Sequence, residues 1–450
     1  MKRRDLLKSA SVGVGAVTIN SLPDWLLASS NGPENKVDVL VVGGGTAGTI
    51  AGLQAAKAGA RTMIVEMAGQ LGGTTTTAGV NYPGLFHAWE KQIIAGLGWD
   101  LVVKAVELDG GEMPDFTVSP RAHFLHQVRI NAPLYAVLAE ESCLQAGVVI
   151  AYYEMPLKVE ETSQGWIVET IGKGIRRRIT CRQLIDCTGG ADIVGMLGLP
   201  RLREETTQPG TLIFRIEGFE VDKLDSTVIQ KRYRGALANG ELKKGDYHNF
   251  EGEFVGFLDG GGENAQHVFG ADSSTAATKT QANLAGRASV LRLLRFTRSL
   301  PGCENARLVK LLPETGVRET YRIVGEVKIT HQDYTSGRKF EDAIAYSFYP
   351  IDVHDEEGIV PEPLKRGVVP TIPLRALIPK GSRNLLVAGR SVSSDRLANS
   401  ALRVQASCMA MGQAAGAAAA VAVRTDRTPG QTSVEQIRTI LRENGAILPA

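Results

Sequence analysis

The run Val39-Leu40-Val41-Val42 passes directly into Gly43-Gly44-Gly45-Thr46-Ala47-Gly48, so an apolar stretch opens onto Gly-x-Gly-x-x-Gly. Few patterns constrain a fold as tightly. A strand has to deliver the chain to the first glycine, and a helix has to leave from the last. Gly43 permits the tight turn, Gly45 lets the backbone approach a pyrophosphate, and Gly48 lets helix and strand pack closely. The Ala-rich segment from Thr49 to Ala58 supplies the helix, whose N-terminal N–H groups suit phosphate oxygens. Glu66 ends the next apolar run, roughly 20 residues beyond the fingerprint, where an acidic side chain accepts ribose hydroxyls. Strand, glycines, helix and acid together specify a dinucleotide unit held by Gly43, Gly45, Thr46, Ala47, Gly48 and Glu66.

The loop from Gly69 to Thr77 is rich in glycine and hydroxyls. It can set backbone N–H groups and Thr side chains against a pyrophosphate or ribityl chain, which makes Gly72, Gly73 and Thr74 candidates. An ordinary flexible loop is the plain alternative. Far downstream, Asn384 to Arg390 is a second strand-then-glycine stretch, followed by a small-residue helix expected over 403–423. Gly389, Arg390, Asn399 and Arg403 stand on the cofactor side of that late unit.

Between these stretches, Ala132 to Ala146 has helical spacing at Leu134, Val137, Leu138 and Leu144 and ends at Gly147. Short runs at 148–153, 157–161 and 166–170 read as an antiparallel meander, with Leu157 counted among the cofactor-binding positions. The run 179–185 leads into Asp186-Cys187-Thr188-Gly189-Gly190. Residues 36–201 thus form the first part of a cofactor domain. From 202 to 365 the pattern changes to strand-like runs such as Thr211 to Ile216, a Gly260-Gly261-Gly262 loop and a helix at 280–295, read as an inserted substrate or cap domain. Residues 366–426 return to the first domain. A C-terminal helix in 427–450 is expected to be capped by Thr432-x-x-Glu435, closed by Gly445, and packed through Val434, Ile437 and Leu441.

Composition adds exclusions. A chain of 450 residues can bury a large core, and a formal charge of +2 implies no basic face for a nucleic acid. Five cysteines form no Cys-x-x-Cys pair, so a redox dithiol and a zinc ribbon are both disfavoured, and buried thiols are expected. No apolar run beyond the N-terminal segment reaches the roughly 18 residues of a membrane span. Lys2-Arg3-Arg4-Asp5-Leu6-Leu7-Lys8, then a mildly apolar run to Ile19 and small residues near Ala28, form an export signal over residues 1–30. The alternative is an amphipathic N-terminal helix. A signal of this kind implies the twin-arginine export machinery as a partner and the periplasm as the destination.

Taken together, these motifs resemble the glutathione-reductase-like flavoprotein superfamily, and within it the FAD-dependent oxidoreductase family. Leu71-Gly72-Gly73, Ile185 to Asp192, Arg318-Glu319-Thr320-Tyr321-Arg322-Ile323-Val324-Gly325, Ala343-Ile344-Ala345, Pro350-Ile351-Asp352-Val353-His354, Leu385 to Gly389 and Gly412-Gln413-Ala414-Ala415-Gly416 carry the likeness. The resemblance implies an α/β fold: a Rossmann-type FAD-binding domain with an inserted α+β substrate domain. It implies Thr188 and Gly189 at the turn closing the first half, and a late helix whose start faces the flavin pyrimidine. No second fingerprint marks a nicotinamide domain. The simplest chemistry is then hydride from a small polar substrate to the flavin, with reoxidation by an unknown electron acceptor.

His354 is the first candidate for a base, since a neutral imidazole takes a hydroxyl proton as hydride leaves. A structural histidine is the alternative. Asp352 lies two residues away, on the same face of an extended segment. Arg318 and Arg322 are four apart and share a face on a helix or a strand, where they clamp a carboxylate or ion-pair with Glu314, Glu319 or Glu326. His331, His267 and His248 lie in polar, loop-like surroundings and are expected to be exposed. His123 and His126 have no third ligand, so no metal site is expected. Two rivals stay open: a flavin-dependent reductase of an unsaturated acid, and a flavin-binding protein without catalysis.

Overall fold

The computed structural model describes residues 35–118, 123–356, 358 and 361–450. The export-signal segment lies outside the described residues. The first strand, β1 (Asn35–Val42), is buried on both faces, with Val39 and Val41 on one side and Leu40 and Val42 on the other. Such a run marks a central parallel strand. Helix α1 (Thr46–Lys57) crosses to β2 (Thr62–Glu66), which lies parallel to β1 with Val39 opposite Thr62. A small ladder of β3 (His87–Ala88) and β4 (Lys91–Gln92) precedes α2 (Leu97–Leu108) and α3 (Ala132–Gln145).

In α3 the expected apolar face is wrong. Val137 and Leu144 are exposed, while Ala132, Tyr135, Ala136, Ala139 and Cys143 are buried. Small side chains let α3 lie close against its neighbours α1 and α2, and close packing outweighs bulk hydrophobicity here.

The expected meander is shifted by one strand: its first run, β5 (Val149–Tyr152), adds parallel to β2, and the antiparallel meander is β6 (Glu154–Thr162), β7 (Gly165–Gly172) and β8 (Ile175–Asp186). The long strand β8 serves two sets of neighbours. One edge pairs with β1 from Ile179 to Asp186. The other pairs with β7 from Ile175 to Cys181, and beyond that its last residues are left open. After α4 (Asp192–Met196) and β9 (Arg201–Leu202), a second core begins.

That core belongs to β10 (Phe214–Glu217), α5 (Ser226–Ala238), α6 (Phe254–Gly260), β11 (Gly262–Glu263), α7 (Ala276–Ser299) and β12 (Arg307–Leu311). Its sheet has the order β11-β10-β12, and Phe214, Tyr233, Phe254, Phe257 and Phe296 fill its centre. The chain then turns back. Strand β13 (Arg322–Ile323) pairs with β9, α8 (His331–Ser336) follows, and β14 (Ala343–Tyr346) pairs with β15 (Thr371–Pro373). Ile329, Tyr334, Ile344 and Ile351 pack into the first core.

Strand β16 (Leu385–Val387) then fills the open part of β8, parallel to it, with Leu385 opposite Leu184. The seven-stranded sheet is complete only at this point. The helix expected over 403–423 is two helices, α9 (Arg396–Leu402) and α10 (Gln405–Thr425), with Arg403 at the turn between them. Against the sequence expectation, α10 is long and apolar enough by composition to cross a membrane, with 21 residues, yet it is buried inside the protein. Gly412 and Gly416 explain how. A Cβ on Gly412 would lie 2.1 Å from the Ala47 carbonyl oxygen, and one on Gly416 would lie 2.3 Å from that of Ala51. The backbones of α1 and α10 therefore touch. Finally, α11 (Val434–Glu443) buries Ile437, Ile440 and Leu441, but its cap is Ser433, which accepts from Gln436 N at 3.4 Å. Thr432 is spent on the preceding turn, donating to Pro429 O at 2.6 Å.

Candidate functional site

The fingerprint glycines are fixed by contact. Gly43 has φ 96°, and a Cβ there would lie 2.5 Å from the Cys187 carbonyl oxygen. A Cβ on Gly48 would lie 1.8 Å from the Gly43 oxygen, so α1 could not leave β1 at this angle with any other residue. Gly45 precedes the first residue of α1 and bridges to Gly72, while Gly73 packs its Cα against that of Gly45. Thr46 Oγ1 donates to Gly72 O at 3.1 Å and lies 3.0 Å from Thr75 Oγ1. Thr75 in turn donates to Gln405 Oε1 at 2.7 Å, and Gln405 donates to Val80 O at 2.8 Å. The start of α1, the Gly-Thr loop and the start of α10 thus meet around one cradle. Thr74 supplies its carbonyl to Val80 N at 3.0 Å.

Glu66 does more than present a free carboxylate. Its Oε2 accepts from Gly44 N at 2.6 Å and its Oε1 from Ala68 N at 2.7 Å. Burial presses its pKa upward, against the pull of those two N–H groups. Its remaining lone pairs are still able to take ribose hydroxyls.

The late unit closes on the first half as the sequence suggested. Thr188 donates to Asp186 Oδ1 at 2.7 Å, and Gly189 offers its carbonyl to Arg390 Nε at 2.7 Å and Thr320 Oγ1 at 3.0 Å. Gly389 has φ 100°. Asn399 donates to Arg390 O at 2.9 Å, and its Oδ1 is buried without a partner. Leu157 is half exposed on β6.

Beside Arg403 lies a second cluster. Pro350 to His354 is extended, so Asp352 and His354 project to one side, and Asp352 Oδ2 meets His354 Nε2 at 3.1 Å. The other ring nitrogen of His354, Nδ1, lies 2.9 Å from His267 Nε2. Arg403 Nη2 donates to Asp352 Oδ2 at 3.3 Å and to Gln208 Oε1 at 3.4 Å, and Gln208 also accepts from His354 N at 3.1 Å. His248 stands next in the row, its ring 5.6 Å from that of His267.

The expectation that His267 is exposed fails: it is 5% exposed. Residues 245 and 267 exchange backbone contact, His267 N donating to Gly245 O at 2.8 Å, which folds the polar stretch inward. His248 is partly buried, its Nδ1 2.8 Å from Ala265 O, and His331 opens α8 facing Glu362 at 2.9 Å. Arg318 and Arg322 do not share a face. Their segment is irregular, and Arg322 is buried in ion pairs with Glu204 and, at 3.9 Å, Glu319. Arg318 instead donates to Pro209 O at 2.5 Å and Thr211 Oγ1 at 3.1 Å, beside the histidine cluster.

The sequence pattern of the family described as FAD dependent oxidoreductase matches residues 38–441. The chain belongs to the FAD-dependent oxidoreductase family. A comparison with curated proteins found no match. Solved structures similar to this oxidoreductase include an anhydrotetracycline hydroxylase from Streptomyces rimosus, at 12% identity and TM-score 0.42, covering 91% of this chain and 66% of that one. A geranylgeranyl bacteriochlorophyll reductase-like protein from Thermoplasma acidophilum is similar at 14% identity and TM-score 0.42, covering 91% and 83%. A p-nitrophenol 4-monooxygenase from Pseudomonas putida stands at 11% identity and TM-score 0.42, covering 91% and 87%.

The cofactor of the family is FAD, and the residues of this oxidoreductase fit it. Gly45 and Thr46 at the start of α1 lie directly against the Gly72-Gly73 turn, with no room for a Cβ on Gly73, and Asn399 Oδ1 and Arg403 Nε are buried polar atoms with no protein partner. Replacing Glu66 by Ala is expected to strip FAD on dialysis and to lower stability by about 2–4 kcal/mol, because two buried N–H groups lose their acceptor. Thermal unfolding and flavin content read both effects, and Glu66→Gln should lose less.

The charges of the second cluster are set by burial and by one another. Burial presses the Asp352 carboxyl upward, but the hydrogen bond from His354 and the charge of Arg403 outweigh it and hold it at about 2. Burial and then Arg318 bring His354 down to about 4. Burial, Arg318 and His354 bring His267 to about 2. At neutral pH the carboxylate is ionised and both imidazoles are neutral. The carboxylate must accept, so the network assigns the hydrogen of His354 to Nε2, and that of His267 to its own Nε2. His267 Nδ1 is left as a bare acceptor. It is the acceptor end of an Asp352–His354–His267 chain.

Proposed function

We propose that this oxidoreductase dehydrogenates a C–OH or C–H bond of a small polar metabolite. The carrying observation is the Asp352–His354–His267 chain, which ends in an unprotonated nitrogen and is tied by Arg403 to the late FAD-binding unit. FAD, when bound, supplies the hydride acceptor. The protein's part is proton handling. His354 has both ring nitrogens engaged, so the role of base passes to His267, and His354 and Asp352 orient it and stabilise the charge it acquires. A glutathione-reductase-like arrangement suits this reading, with the second core, Leu212 to Ala306, as the substrate domain within the expected 202–365 insertion, the rest of which packs into the cofactor domain; so does a periplasmic setting reached by twin-arginine export.

An anaerobic screen of metabolites against the holoenzyme tests the proposal by loss of oxidised-flavin absorbance. Bleaching by a hydroxylated metabolite is the expected result. If alcohols and sugars leave the flavin oxidised while an enoate reoxidises reduced enzyme, the protein is a reductase of unsaturated acids; if no donor bleaches it, the flavin is not catalytic.

The depressed histidines give the pH dependence a sign. Their native pKa values lie below the ordinary 6.5, so the unfolded chain takes up protons first as pH falls. Stability is therefore fully present above pH 6.5 and declines from there, through about 4 for His354, toward about 2 for His267. The acid limb of flavin reduction should likewise lie well below 6.5, because the base stays neutral. A limb centred at 6.5 in stopped-flow reduction would contradict this.

A further inference from the structure

Arg318 is the cation of the second cluster that lacks a carboxylate. Among the described residues its hydrogen bonds run from Nη1 alone, to Pro209 O at 2.5 Å and Thr211 Oγ1 at 3.1 Å. Around it, Arg322 pairs with Glu204, Arg396 with Glu319, Arg203 with Asp272 and Arg403 with Asp352, while Arg390 commits all three guanidinium nitrogens to the carbonyls of Gly189 and Val317 and to Ser273 Oγ. Asp352 is already shared by Arg403 and His354. With the histidines neutral, two guanidinium groups face one carboxylate, and the cluster carries a net positive charge. Burial, then the charge of Arg403, draw Arg318 down to about 9, which marks its charge as poorly compensated. An anion would relieve it.

The shape of the vacancy in the charge balance points to one class of anion. Nη1 is anchored to the protein, which leaves Nε and Nη2 uncommitted. Two N–H groups on one edge of a planar guanidinium match the two oxygens of a carboxylate. Arg318 is seated beside the histidine row by geometry: Pro209, whose carbonyl it holds, adjoins Gln208, the acceptor of His354 N, and Thr211 donates on to Gln266 O at 3.0 Å, next to His267, the free proton acceptor. A carboxylate and a hydroxyl on adjacent carbons would engage both groups.

We propose that Arg318 holds the carboxylate of the substrate and that the enzyme oxidises 2-hydroxy acids to 2-oxo acids. This rests on the dehydrogenase reading above. The hydroxyl proton goes to His267 Nδ1, the hydrogen on C2 leaves as hydride to FAD, and the C–O single bond becomes a carbonyl. The acid loses two electrons and FAD gains them.

The test uses oxidised holoenzyme and oxamate, a planar acid with no hydride to give, followed by the change in flavin absorbance on titration. Saturable oxamate binding is expected, with neutral oxamide failing to bind. Arg318→Gln should weaken oxamate roughly 100-fold, and Arg318→Lys should weaken it less. Oxamide binding as well as oxamate, or oxamate binding unchanged in Arg318→Gln, overturns the carboxylate site. Should Arg318→Gln fail to retain FAD, Arg318→Lys and the wild-type comparison of the two probes decide. In parallel, glycolate, lactate and malate are tried as anaerobic reductants. Arg318-dependent oxamate binding with reduction by a hydroxy acid supports the whole proposal. The same binding with no reduction by any of them supports the carboxylate site and overturns the dehydrogenase reading.

Discussion

Gly412→Leu is expected to abolish FAD retention and to destabilise the protein by more than about 4 kcal/mol, at the extreme of single-substitution effects. The reason is distance. A Cβ at this position would lie 2.1 Å from the Ala47 carbonyl oxygen and 3.0 Å from the Ala47 Cα. These are backbone atoms of α1, so no side chain can rotate away to make room. Four residues on, Gly416 repeats the contact at Ala51, and the two helices have no other separation available to them. Because α1 carries Gly45 and Thr46 while α10 begins at Gln405, a wedge here opens the cradle as well as the core. Gly235→Leu is the matched control. It lies exposed in α5 with open space around it, and losing a helical glycine there should be neutral or stabilising by about 0.5–1 kcal/mol. Thermal melts and flavin-to-protein absorbance ratios of the two variants compare directly. A Gly412→Leu protein with normal melting and full FAD would show that the helices are not in contact.

His267→Ala is expected to retain FAD and to lower the rate of flavin reduction by the true substrate about 10²–10⁴-fold, the usual worth of a positioned base. His354→Ala should fall in the same range, since it removes the group that fixes the tautomer and orientation of His267. The two losses should not add, because both variants disable one chain. A double variant no slower than either single is the signature. The alternative assignment gives a different pattern: if His354 takes the proton itself, His267→Ala stays near wild type while His354→Ala collapses. Asp352→Asn separates positioning from proton transfer. It keeps the shape, removes the charge that favours a protonated partner, and should move the pH profile as well as the rate.

How much of this was readable beforehand follows from how local each feature is. The glycine turn and its acid were, because turn, close approach and acid all fall within residues 43–66, and each residue type there has a geometric reason, whereas the part of Gln405 in the cradle was not, as it comes from the start of α10. The Arg390–Gly189 closure was anticipated only through resemblance, since nothing in residues 384–390 names its partner. The second cluster was half seen. Asp352 and His354 share a face by simple alternation, but Gln208, His267, Arg318 and Arg403 arrive from separate segments brought together by tertiary folding. His267 looked exposed because its neighbours are polar, and only the backbone pairing to Gly245 turns it inward. Arg318 and Arg322 were equivalent in sequence. Their different fates depend on Glu204, more than a hundred residues away. In α3 and at Ser433 the local rules named the right elements and the wrong residues, as packing and a competing turn took over.

The split edge of β8 has a consequence for how the molecule comes into being. Its last residues have no parallel neighbour on that side until Leu385 to Val387 arrive, some two hundred positions later in synthesis. A nascent chain that has finished β8 therefore carries an unfilled strand edge while the whole second core is being made. Pairing across such a span is slow and leaves partly folded chains prone to association. The cofactor cradle, which needs Gln405, cannot be complete during translation of the first half. Completion of the cradle therefore waits for the C-terminal segment to dock.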